Sequence, residues 1–161
     1  VNNIVLIGFM GSGKSSVGRA LAKAKDMYFV DTDALIESFE GRKIRDIFAD
    51  EGEQYFRALE TKCFEWLSSS VSNSVISTGG GMPTVIDSFS PLGKSVYLKV
   101  DFETLLTRLK AEEFDKRPLF QDVEFAKKIF EAREPIYSAK VDFTIDANRS
   151  FEEVLREASQ R

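Results

Sequence analysis

Apolar residues in this chain follow two rhythms, and the alternation between them predicts the fold. Ile4-Val5-Leu6-Ile7, Tyr28-Phe29-Val30, Ser74-Val75-Ile76-Ser77-Thr78 and Ser95-Val96-Tyr97-Leu98-Lys99-Val100 are short, largely continuous apolar runs, the pattern of strands buried on both faces. Val141-Asp142-Phe143-Thr144-Ile145 alternates and reads as one more strand. Between the runs, apolar residues recur at helical spacing. Val17, Ala20, Leu21 and Ala24 form one stripe; Ala34, Leu35, Ile36 and Phe39 form another, ending near Gly41. Ile44, Ile47 and Phe48 belong to a short helix closed at Gly52, and Phe56, Leu59, Cys63, Trp66 and Leu67 share a face of a longer one. Further helices are expected over Leu105, Leu106 and Leu109 after Asp101, from about 123 to 134, and after Ser150, whose spacing to Glu153 is that of a capping box. Strands alternating with helices imply a parallel sheet covered on both faces, so the class is α/β.

What lies between these elements is polar. The serine-rich run 68–74 reads as a surface loop, and the charged stretch 111–122 as a mobile lid. The length of 161 residues suits one domain over 1–161, with the helices of about 32–60 as a small satellite subdomain. A net charge of -4 without a basic run argues against nucleic acid or an anionic membrane as partner. Cys63 stands alone, which fits a reducing cytoplasm, and without histidine any general base must be a carboxylate, a lysine or water. The N-terminal apolar run lacks the flank of a secretory leader and no later stretch reaches membrane-spanning length, so a cytoplasmic protein, monomeric, is expected.

The chemistry begins at Gly8-Phe9-Met10-Gly11-Ser12-Gly13-Lys14-Ser15, which fits G-x-x-x-x-G-K-[ST] at every fixed position and sits between a predicted strand and a predicted helix. Such a loop aims backbone N–H groups and a helix N-terminus at phosphate. Lys14 would reach the β- and γ-phosphates, and the Ser15 hydroxyl would ligate the Mg2+ that bridges them. No N-K-x-D guanine motif follows. Instead Asp31, Asp33, Arg57, Gly79 to Gly81, Arg117 and Arg133, scattered in sequence, are expected to converge on the carboxyl edge of the sheet. An acidic group, bare backbone and several arginines beside a phosphate loop suit phosphoryl transfer to a small anionic acceptor.

The ordered set G-F-M-G-S-G-K-S, D-T-D at 31–33, G-E-x-x-F-R at 52–57, S-T-G-G-G at 77–81, R-P-L at 117–119 and R-x-P-x-Y at 133–137 resembles the shikimate kinases over nearly the whole chain. The resemblance implies a three-layer, nucleoside-monophosphate-kinase-like fold with a five-stranded parallel sheet. It also implies Mg2+-dependent transfer of a phosphate from ATP to the 3-hydroxyl of shikimate, on the route to chorismate and the aromatic amino acids. ATP would then be held by Gly11, Ser12, Gly13, Lys14, Ser15, Ser16 and Arg108, with Arg117 swinging over the phosphates from the lid. Asp33 would hold the substrate hydroxyls as candidate base, and Asp31 would hold the metal through a water. Arg57 and Arg133 would grip the carboxylate, and Gly79, Gly80, Gly81, Phe48 and Phe56 would line the pocket, with Lys14, Asp33 and Arg117 as the catalytic set. For Asp33 a helix N-cap is the other reading, and for Phe48 and Phe56 it is core packing. A gluconate or nucleoside monophosphate kinase is the nearest rival in the same fold, and a non-catalytic ATP or metabolite sensor the rival from another class.

Overall fold

The computed structural model describes residues 2–110 and 122–161. The expected lid, and Arg117 within it, fall outside the described residues except for Asp122. The order of elements is β1 (Asn3–Ile7), α1 (Lys14–Ala24), β2 (Tyr28–Asp31), α2 (Thr32–Glu40), α3 (Ile44–Glu51), α4 (Glu53–Ser70), β3 (Ser74–Ser77), a 3-10 turn (Met82–Thr84), β4 (Gly93–Lys99), α5 (Phe102–Lys110), α6 (Val123–Ala139), β5 (Phe143–Asp146) and α7 (Phe151–Ser159).

The strands form one parallel sheet in the order β2-β3-β1-β4-β5, with Val5 opposite Ile76, Ile7 opposite Tyr97 and Asp31 opposite Ser77. Every residue of β1 is buried, as its unbroken apolar run requires of a central strand. From β1 the chain crosses to one side for β2 and β3 and to the other for β4 and β5, so the sheet reverses its winding at β1. A crevice opens at the carboxyl ends of strands at such a point, and the loops after Ile7, Asp31 and Ser77 all leave from that edge.

Helix α1 lies on the sheet through Val17, Gly18, Leu21 and Ala22. A Cβ on Gly18 would stand 2.5 Å from the ring of Phe29, so glycine permits this close packing. The contact face is turned from the expected one: Ala20 is half-buried and Ala24 exposed. A separate small core gathers Ile36, Ile47 and Phe56, with Ile44, Phe48, Leu59 and Cys63 against it. The stops at Gly41 and Gly52 are backbone turns with φ of 71° and 88°, and a β-carbon would strain both.

Four further expectations need correction. Trp66 does not join the buried face of α4; it is 52% exposed, and Glu60 is buried instead. The serine run is not wholly a loop, because α4 continues through Ser70, with the Ser68 hydroxyl donating to the Phe64 carbonyl at 2.8 Å. Helix α6 does not stop at residue 134 but passes through Pro135 to Ala139, its far end held by side chains described below. The last strand is shorter than its alternating stretch, covering Phe143–Asp146 only.

Candidate active site

The phosphate loop connects β1 to α1. Gly11 and Gly13 adopt φ of 84° and 96°, a region closed to most side chains. Gly13 is also the N-cap of α1 and offers no capping side chain, so the first-turn amides of Lys14, Ser15 and Ser16 edge the cradle. Lys14 folds back over the loop, donating from Nζ to the carbonyls of Gly8 at 2.6 Å and Phe9 at 3.1 Å. Ser12 is buried, and among the described residues its Oγ has no hydrogen-bond partner.

The D-T-D stretch divides its labour. Asp31, not Asp33, is the N-cap of α2: its Oδ1 accepts from the amides of Asp33 at 2.9 Å and Ala34 at 3.2 Å. Thr32 is buried, and its hydroxyl accepts from the Gly79 amide at 2.9 Å, joining this turn to the glycine turn. Asp33, half-buried in the first turn of α2, therefore has no capping duty. Burial pushes its carboxyl up to about 6, Asp31 and Glu37 add to the rise, and Lys14 and Arg57 oppose it.

The glycine turn 79–81 is the floor on which the other groups meet. A β-carbon on Gly79 would lie 2.5 Å from Asp33 Oδ1 and 3.3 Å from Glu60 Oε2, and one on Gly80 would lie 3.4 Å from Arg133 Nη1. On Gly81 it would strike the Arg57 guanidinium. Each glycine thus leaves room for a different functional side chain, drawn from α2, α4 and α6.

Arg57 is held from two sides. Its Nη1 donates to Glu60 Oε1 at 2.5 Å, and its guanidinium lies 5.6 Å from the ring of Phe56 and 6.0 Å from that of Phe48. Phe56 is buried in the satellite core, and half-buried Phe48 packs on it with ring centroids 4.8 Å apart. Arg133 approaches from α6, over the ring of Phe9 at 5.8 Å. Glu60 is the residue that sequence reasoning missed. It is fully buried, and its Oε2 has no hydrogen-bond partner among the described residues; burial pushes its carboxyl up to about 7 against the pull of Arg57 and Arg133. A carboxylate three residues after a conspicuous arginine, on the apolar side of α4, was the available signal.

On the other side of the phosphate loop a cleft of about 410 Å³ is lined by the loop, Arg108, Ala147, Arg149 and Phe151. Arg108 donates to the Ala147 carbonyl at 2.6 Å, tying α5 to the loop that follows β5. Arg149 pairs with Glu157 at 2.5 Å at the edge of this cleft. The described site residues thus fall into two groups, those lining the cleft beside the phosphate loop and the charged cluster on the glycine turn.

Residues 10–161 match the family model for shikimate kinase. A shikimate kinase of Helicobacter hepaticus is 42% identical over 156 residues, covering 97% of this chain and 93% of that protein. Among solved structures, a shikimate kinase from Acinetobacter baumannii in complex with shikimate superposes with a TM-score of 0.83 at 34% identity, over 99% of this chain and 89% of that one. A shikimate kinase from Bacteroides thetaiotaomicron gives a TM-score of 0.90 at 28% identity, over 99% and 97%.

Proposed function

The chain belongs to the shikimate kinase family, and we propose that it transfers the γ-phosphate of ATP to the 3-hydroxyl of shikimate, giving shikimate 3-phosphate and ADP for aromatic biosynthesis. The observation that carries this reading is the convergence of Asp33, Arg57 and Arg133 on one bare glycine turn at the edge that holds the phosphate loop. Two arginines beside Asp33 favour a monocarboxylic polyol over a nucleotide as acceptor.

The loop amides and Lys14 bind the β- and γ-phosphates, with Lys14 exchanging its contacts to the Gly8 and Phe9 carbonyls for phosphate oxygens. Arg108 and the loop after Ala147 face the base. Arg57 and Arg133 hold the substrate carboxylate with planar guanidinium forks, and Glu60 with Phe48 and Phe56 sets the plane of Arg57. Asp33 accepts a hydrogen bond from the reacting hydroxyl. A carboxyl that titrates at about 6 is ionised at neutral pH and basic enough to take the proton as the bond to phosphorus forms. Arg117, outside the described residues, would offset charge on the transferring phosphate.

The donor set fits magnesium. Asp31 has one oxygen committed to the α2 cap and one left over, Ser15 adds a hydroxyl, and hard oxygen ligands of this sort suit an ion that keeps waters and phosphate oxygens around it. Asp31 and Ser15 would hold the ion, which when bound would offset negative charge on the phosphate oxygens. The protein works as a monomer in the cytoplasm. Among the described residues no helix is long and apolar enough to cross a membrane. The test is product identification by phosphorus NMR after incubation with ATP, Mg2+ and shikimate. Phosphate on the 3-hydroxyl is expected; phosphate on another hydroxyl, or on water alone, would overturn the reading.

A further inference from the structure

Arg133 and Tyr137 stand at positions i and i+4 of α6 and share one helix face, and Lys140 is the C-cap that follows its last residue, Ala139. All three meet the segment that runs from the glycine turn into the 3-10 turn. Arg133 Nη1 lies 3.4 Å from where a β-carbon of Gly80 would be, and Tyr137 Oη donates to the Gly80 carbonyl at 2.5 Å. Lys140, outside every motif, donates from Nζ to the carbonyls of Pro83 and Ile86, each at 2.7 Å.

These lysine contacts answer a local need. Residues 82–86 form a tight turn, closed by the Val85 and Ile86 amides donating to the Met82 carbonyl at 3.1 Å, and its outward carbonyls call for a donor. The helix has its own weakness. Pro135 has no N–H, so α6 lacks the bond that residue 135 would give to the carbonyl of Glu131, between Arg133 and the helix end. A helix interrupted there holds its far half by tertiary contacts. Lys140 supplies them in two directions, since its own carbonyl accepts from the Ser95 hydroxyl of β4 at 3.4 Å while its ammonium grips the turn.

We propose that Lys140 is a positioning residue for the acceptor pocket: it latches the end of α6 to the 83–86 turn, and so sets the distance between the Arg133 guanidinium and the glycine turn. The claim rests on the reading that Arg133 and the glycine turn hold the substrate carboxylate. Lys140 touches neither substrate in that reading. Its own hydrogen bonds go to the 83–86 turn and to β4, so its loss acts first on acceptor binding, through Arg133 and the glycine turn. A misplacement of about 1 Å at a binding group is enough to change affinity by an order of magnitude or more.

The experiment compares wild type, Lys140→Met and Lys140→Arg in steady-state kinetics, and adds amide hydrogen exchange of the substrate-free proteins. Lys140→Met is expected to raise KM for shikimate about tenfold while kcat and KM for ATP stay within about twofold, and Lys140→Arg to recover most of the loss. Exchange should quicken in peptides covering 79–86 and stay unchanged in β1. An unchanged KM for shikimate, a parallel change in all three kinetic constants, or unaltered exchange over 79–86 would each overturn the proposal. If wild type fails to phosphorylate shikimate, the functional reading falls, and exchange over 79–86 alone decides whether the latch exists.

Discussion

The two halves of the site are built in opposite ways. The phosphate half is a stretch of eight consecutive residues, Gly8 to Ser15, and its ligands are mostly backbone amides arranged by Gly11, Gly13 and the start of α1. The acceptor half draws side chains from α2, α4 and α6 onto a turn after β3, and those side chains are charged and at least half-buried. Backbone ligands need no neighbour to orient them. Buried charges do, and Arg57 on Glu60, Thr32 on Gly79 and Tyr137 on Gly80 are the supports that result. Damage to the phosphate half should therefore strike catalysis, whereas damage to the supports of the acceptor half should strike recognition.

The largest expected effects come from the charged groups that face the transferring phosphate. Lys14→Met should lower kcat by about 10²–10³-fold with little change in calorimetric affinity for shikimate. Asp33→Asn should lower kcat by about 10²–10⁴-fold, because the amide cannot take the proton. A Lys14→Met protein that lost shikimate binding instead would break the division between the halves.

Gly81→Ala is next. The new methyl strikes the Arg57 guanidinium, which has to leave its place between Glu60 and the aromatic rings. KM for shikimate should rise roughly 10- to 100-fold, the cost of one charge-assisted contact, with kcat much less affected. Glu60→Gln keeps the shape and one acceptor but removes the charge. A smaller rise in KM, roughly threefold to tenfold, is expected in the same assay.

How much of this was legible in the sequence follows from the same contrast. The phosphate loop could be read directly, because its chemistry is local and its strand and helix flank it. Asp33, Arg57 and Arg133 could be placed at one edge only because the strand order was inferable and their motif settings resembled a known family. Glu60 left only its spacing to Arg57 as a signal: a glutamate on a helix is usually solvated, and burial of this one depends on how α4 rotates against the glycine turn. The same rotation exposes Trp66, which helical spacing had assigned to the core. Pro135 misled for a related reason, since contacts from Tyr137 and Lys140 override its local preference to end a helix.

The smallest effect concerns stability. Asp33 and Glu60 titrate at about 6 and about 7 in the folded chain, above their ordinary range near 4. The folded state therefore binds more protons than the unfolded one between pH 4 and 7. Stability is fully present below the ordinary carboxylate range and is lost as pH rises through about 6 and 7, by at most about 3 kcal/mol for each group. Tm of the substrate-free protein should fall between pH 5 and 8, and Asp33→Asn should flatten that slope.

The most direct test of the two-part site is ADP release with ATP and Mg2+ in the presence of shikimate, quinate, gluconate, CMP or no acceptor, for wild type and Asp33→Asn. Turnover with shikimate far above every other arm, and lost in the variant, is the predicted result. Equal background in all arms, with ATP or shikimate still bound in calorimetry, would contradict it and leave a binding protein in place of a kinase.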